Sequence, residues 1–177
     1  MNSASTPLPH TLPDPALTLL LRLNEHHVEY VLIGDLAAAL HGCPTAEQTV
    51  VIVPARFQRN LTRLASALDT LHARNRGPSA AGATNSALTA NGLRALGHWR
   101  LGTNSGALDI DFEPPATAGH LDLFENARRL KLAVGLEVEV ASLADLVRIA
   151  EMRREPHDEA VLPALYAALK TVAPATV

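Results

Sequence analysis

Tyr30-Val31-Leu32-Ile33-Gly34-Asp35-Leu36-Ala37-Ala38-Ala39-Leu40-His41-Gly42 is the stretch whose reading decides the fold. Tyr30–Ile33 is short, apolar and rich in β-formers, which predicts a strand stopped by Gly34. Leu36 to His41 is dense in Ala and Leu, which predicts a short helix closed by Gly42. Next comes Thr49-Val50-Val51-Ile52-Val53, ended by Pro54. It is the strongest strand signal in the chain, and its lack of alternation predicts burial on both faces.

Outward from this centre, the pattern stays mixed. Upstream, Leu17, Leu20, Leu21 and Leu23 form an apolar stripe that predicts a helix from Ala16 to about Asn24. Residues 1–15 are rich in Pro, Ser and Thr and predict a flexible N-terminal arm, with a single domain over 16–177. Downstream, Phe57 to Ala73 reads as an amphipathic helix, with Leu61, Leu64, Leu68 and Leu71 on one side. Arg74 to Asn91 reads as a loop. Trp99 to Thr103 and Ala107 to Phe112 read as paired strands around Asn104-Ser105-Gly106. A helix is expected over Leu121 to Lys131, a strand over Leu136 to Val140, and two helices over Leu143 to about Arg154, capped by Ser142, and over Ala160 to Lys170. The order predicts an α/β fold, a small mixed β-sheet flanked by helices.

Composition limits the function classes. The chain has 177 residues, 47% apolar and 19% charged, which suits one domain with a real core. A net charge of -3 lacks the basic excess of a general nucleic-acid binder, and 3% aromatics leaves little for base stacking. The lone Cys43 excludes an internal disulfide and a Cys-based zinc cluster. No apolar run approaches a bilayer span and no signal-peptide pattern opens the chain, so cytoplasmic residence without a membrane is expected.

The strand–turn–helix of Tyr30–Gly42 resembles the opening motif of the minimal nucleotidyltransferase family, within the DNA polymerase β-like superfamily. In that family the turn is Gly-Gly or Gly-Ser, and the next strand carries Asp-x-Asp. Val53-Pro54 with Asn60-Leu61-Thr62-Arg63-Leu64 is similar to one branch of it. Gly106-Ala107-Leu108-Asp109 resembles the strand that supplies the family's third carboxylate. Gly119-His120-Leu121-Asp122-Leu123, Val140-Ala141-Ser142-Leu143-Ala144-Asp145-Leu146 and Pro156-His157-Asp158 with Leu162-Pro163-Ala164-Leu165 are similar to its later segments. The resemblance covers roughly residues 17 to 170. It implies a nucleotidyltransferase-like fold, a nucleotide-binding turn at Gly34 and Asp35, and nucleotide transfer of the kind found in toxin–antitoxin pairs.

The departures fall on the chemistry. Nucleotidyl transfer uses two divalent cations bridged by carboxylates, which an Asp-x-Asp strand provides because alternate side chains share a face. Those positions align with Thr49 and Val51, one a neutral hydroxyl and the other a hydrocarbon, and Mg²⁺ requires hard oxygen donors. Asp35 replaces the small second turn residue and would repel triphosphate. Basic helix positions of the family correspond to Ala150 and Glu155.

Asp109 remains as a candidate catalytic carboxylate. Asp109 and Asp111 share a strand face and are candidate metal ligands, against the plainer reading of an exposed acidic edge. Glu47 and Asp35 are the residues that would complete a relocated cation site. Arg56, Arg59 and Arg63 recur at helical spacing, which suits a phosphate patch or, more simply, a solvated face, and the groups Arg128-Arg129-Lys131 and Arg148-Arg153-Arg154 are read alike. His26 and His27 adjoin a helix end, His41 is expected to pack, and Cys43 to fill a small buried space.

The function expected is a catalytically degenerate nucleotidyltransferase-fold protein acting as a binding or regulatory module in a bacterial cell. It needs no cofactor. The alternative is an active Mg²⁺-dependent enzyme moving a nucleotide monophosphate to RNA, protein or a small molecule. A weaker alternative is a nucleic-acid-associated protein using the arginine-bearing helices. The expected partner is an unidentified protein or a nucleotide, with a homodimer as a further option.

Overall fold

The computed structural model describes residues 14–45, 49–76 and 88–172. In chain order the elements are α1 (Asp14–Glu25), β1 (Tyr30–Ile33), α2 (Gly34–Leu40), β2 (Val50–Pro54), α3 (Gln58–Thr70), β3 (Arg74–Asn75) and α4 (Ala90–Ala95). They continue with β4 (His98–Thr103), β5 (Gly106–Asp111), α5 (His120–Asn126), β6 (Arg128–Ala133), β7 (Leu136–Val140), α6 (Leu143–Arg153) and α7 (Pro156–Val172). The fold is α/β. One seven-stranded mixed sheet runs β3-β4-β5-β2-β1-β7-β6.

β1 and β2 form the centre of the sheet as an antiparallel pair, with Ile33 opposite Val51 and Val31 opposite Val53. β1 is flanked by parallel β7 and β2 by parallel β5. All four β1 residues are buried, as an unbroken apolar run requires. β4 and β5 form a hairpin whose Trp99, Leu101, Leu108 and Ile110 are buried on one face. Trp99 Nε1–H donates to the Leu93 carbonyl at 3.3 Å, which ties α4 over that face. α3 packs on α1 and α4, and α1 on β5 and β7, so these helices form one layer. α2 packs on β1, β2 and α6, and α7 packs on α6. The β4–β5 half of that second face is left open.

Two fixed points hold the frame near the site. Asn60 is fully buried at the start of α3. Its Nδ2 donates to the carbonyls of Glu29 and Ala55 at 2.8 Å each, and its Oδ1 accepts from the Glu29 N–H at 2.8 Å. Ser142 caps α6, its Oγ accepting from the Asp145 N–H at 3.1 Å, as expected.

The expectations fail at three places. The segment Leu121–Lys131 is not one helix. α5 ends at Asn126, and Arg128-Arg129-Leu130-Lys131 is edge strand, paired with β7 across a turn where Gly135 takes φ +76°. Its leucines alternate with charges, a period the helical reading missed. Within the expected loop Arg74–Asn91, Arg74–Asn75 is a short strand and α4 begins at Ala90, with Thr89 Oγ1 accepting from the Gly92 N–H. α7 starts at Pro156, four residues before Ala160, because proline is well suited to a helix's first turn. The helix placed after the arm begins at Asp14; the remainder of the arm, residues 1–13, lies outside the described residues.

Candidate functional site

The open half of the sheet is the floor of a cleft of about 610 Å³. Register sets its floor. Val51 pairs with Ile33 on one side and with Asp109 on the other, and Asp109 pairs with Arg100. Partners in register point to the same face, so Ile33, Val51, Asp109 and Arg100 form one row across the sheet. One step along β5, Asp111 is opposite His98. Asp35, from the turn that opens α2, also lines the cleft, as do Arg76 beyond β3 and Arg153 at the end of α6.

Gly34 takes φ +74°, a left-handed conformation that glycine enters without penalty. A Cβ built on it would lie 3.1 Å from Val51 Cγ2. The valine methyl therefore packs directly under the turn. Thr49 lines the same cleft and offers one neutral hydroxyl.

Asp109 carries an unmet demand. Its Oδ1 is covered and has no hydrogen-bond partner among the described residues. Burial pushes its carboxyl above the usual carboxylate range, and the charges of His98, Arg100, Arg76 and Arg153 partly offset that rise. Asp111 is also raised by burial, offset by the Glu113 N–H, which donates to its Oδ1 at 3.0 Å.

Arg153 is committed. Its Nε and Nη2 donate to the two oxygens of buried Asp158 at 2.9 and 2.8 Å, and Asp158 also accepts from the Glu155 N–H at 3.1 Å. This fork joins α6 to α7. Glu155, His157 and Asp158 have ligand atoms within 4.8 Å of one another, but both Asp158 oxygens are taken by donors. Arg76 and Arg100 have no ion pair within 4.0 Å among the described residues.

The structure thus brings together Gly34, Asp35, Thr49, Val51, Asp109 and Asp111. Glu47 lies outside the described residues. His41 is not in the cleft: its Nε2 meets the Ala141 carbonyl at 2.8 Å, and burial lowers its pKa. Cys43 is buried. The arginine sets dissolve as faces. Arg56 precedes α3, pairs with Glu113 and lies 4.9 Å over the Phe112 ring; Arg63 donates to the His27 carbonyl; Arg148 bridges Asp122 and Asp145.

Arg76, His98 and Arg100 were missed as site residues. The signal for Arg100 was available: the expected strands Trp99–Thr103 and Ala107–Phe112 alternate so that Arg100 shares the face of Asp109 and Asp111, whereas His98 lies one residue before the expected strand and joins that face because β4 starts at His98. Val51 and Thr49 offer methyls and one hydroxyl where a two-metal site would use carboxylates, and Arg100 is opposite Asp109, so the hard oxygen donors on the cleft floor are those of Asp35, Asp109 and Asp111. Compared with protein-family models and with curated proteins, the sequence matches none. Among the described residues no helix is long and apolar enough to cross a membrane.

Proposed function

We propose that this chain is a catalytically degenerate nucleotidyltransferase-fold protein of the cytoplasm, whose cleft serves binding or regulation instead of nucleotide transfer. The observation that carries the reading is the row Ile33–Val51–Asp109–Arg100. The one carboxylate in that row has hydrocarbon on one side and a guanidinium on the other. Each Mg²⁺ of a transferase needs several anionic oxygens converging on it. A nearby guanidinium opposes a divalent cation and competes for the carboxylate.

What remains is chemistry for an anion. The guanidiniums of Arg76 and Arg100 have donors to spare and match phosphate or carboxylate geometry. Burial raises the Asp109 carboxyl, so it takes up a proton beside such a group more readily than an ordinary carboxylate would. Nucleotide binding on this reading is independent of metal. Calorimetry of the full chain with each of the four nucleoside triphosphates, with and without Mg²⁺ or Mn²⁺, tests it. Affinity unchanged by metal is expected; tight binding that appears only with metal would overturn it.

A second reading is favoured by one observation: Asp35, Asp109 and Asp111 line the same cleft. On it the chain is an active metal-dependent nucleotidyltransferase of toxin–antitoxin type, with Asp109 and Asp111 as ligands. An Asp109→Ala variant that retained full transferase activity would eliminate this mechanism. A nucleic-acid role has less support, because Arg56, Arg63, Arg148 and Arg153 are engaged within the chain.

A further inference from the structure

A second groove, of about 970 Å³, lies at the start of β1 and the ends of β2 and β5, walled by α5 and β7. Its wall carries an apolar patch beside charged residues. Phe57, Leu121 and Phe124 line it at 45%, 76% and 46% exposure, and they are three of the seven large apolar side chains exposed among the described residues. Clustering of this kind on an otherwise ordinary surface marks an interaction site. The Phe124 ring is held in place: it stacks on His120 with centroids 5.5 Å apart.

The groove's polar groups say what it would accept. Glu29, Glu113, Glu137 and Glu139 line it, against Arg56 and Arg129. Both guanidiniums are already paired, Arg56 with Glu113 and Arg129 with Glu139. Glu29 is paired as well, with Arg63 of α3, so the charge left over is that of Glu137, which has no ion pair within 4.0 Å among the described residues. Tyr30 forms part of the floor at 8% exposure, and its hydroxyl has no hydrogen-bond partner among the described residues. A phenol in that position ordinarily finds an acceptor. A peptide backbone offers carbonyl acceptors at every residue.

We propose that this groove docks a peptide segment of a partner protein that carries aromatic or aliphatic anchors beside Lys or Arg. The anchors cover Phe57, Leu121 and Phe124, the basic residues meet the unpaired glutamate charge, and a backbone carbonyl accepts from the Tyr30 hydroxyl. The inference is independent of what the cleft over β5 binds.

A library of random 12-residue peptides displayed on phage, selected on the immobilised full chain, tests it. The selected sequences should pair two or more large apolar residues with Lys or Arg. Synthetic copies, read by fluorescence anisotropy, should weaken about tenfold or more with Phe124→Ser and with Glu137→Lys, both being exposed and tolerable changes. They should weaken several-fold with Tyr30→Phe, which keeps the ring and removes only the donor. Three outcomes would overturn the proposal. One is no enrichment, or enrichment of acidic peptides. Another is binding that all three variants leave unchanged. The last is a homodimer in sedimentation that dissociates on Leu121→Glu, since the groove would then belong to a second copy of the chain.

Discussion

Asn60 and Asp109 are both polar side chains carried into packed surroundings, and the fold treats them in opposite ways. Asn60 is fully buried and meets three backbone groups, so it fastens the start of α3 to the strand ends at Glu29 and Ala55. Asp109 lies in the middle of the sheet with one oxygen covered and unmet. A buried polar group that is fully paired holds structure together, whereas an unpaired one costs stability unless something outside the chain completes it. The contrast separates the part of the molecule that is finished from the part that is left open.

The contrast can be attacked from its strong end first. Asn60→Ala removes three hydrogen bonds and strips the Glu29 N–H and the Ala55 carbonyl of this partner, while the Glu29 carbonyl keeps the Ala55 N–H at 3.0 Å. We expect a loss of roughly 2–4 kcal/mol in urea unfolding; a loss below about 1 kcal/mol would mean that water replaces the amide. Asp158→Ala strips Arg153 and the Glu155 N–H of their acceptor, and should cost about 1–3 kcal/mol, less than a fully buried pair because Arg153 is partly in water. Limited proteolysis should then cut between α6 and α7 first.

The open end is tested by supplying what Asp109 lacks. Val51→Asp puts a carboxylate opposite Asp109 in register, and Thr49→Asp adds a second in the same cleft; with both, Mn²⁺ should bind about tenfold tighter than in the parent chain by calorimetry. If no gain appears, the guanidiniums rather than the number of carboxylates govern metal affinity in the cleft. The smallest effect is expected from Asp109→Asn. The carboxyls of Asp109 and Asp111 are raised in the folded chain, so their contribution to stability is full below the unfolded carboxylate range and is lost as pH rises through the folded values. Asp109→Asn should therefore raise the melting temperature at pH 7 by roughly 1–2 °C, a figure kept small because the carboxyl is half in solvent, and should flatten the fall in stability above about pH 4. A lower melting temperature would show that Arg100 and Arg76 stabilise the ionised form more than burial opposes it.

Much of this was legible in the chain. β1, β2, β5 and β7 announce themselves because buried central strands must be apolar runs or clean alternations, and Ser142 announces α6 because a helix start needs an oxygen acceptor. β6 was hidden because an edge strand meets water and carries charge, so Arg128, Arg129 and Lys131 imitate a helix face. The convergence of Gly34, Val51 and Asp109 was expected only from the family resemblance, since residues on separate strands carry no local sign of meeting. Arg76 was not, since nothing local says that the chain beyond β3 returns to the cleft. The second groove had no signal at all: the exposure of Phe57, Leu121 and Phe124 depends on what other elements fail to cover.

The turn at Gly34 carries a lesson about diagnosis. A glycine following a strand and opening a helix is usually taken as the mark of a phosphate held by backbone amides. Here the same glycine is demanded twice over by the chain itself, by its φ of +74° and by the Val51 methyl 3.1 Å from where a Cβ would be. Any larger residue would be strained and crowded whether or not a phosphate ever arrived. Its persistence in descendants of this chain would record packing whether or not a ligand is bound, so the glycine alone does not mark a nucleotide site.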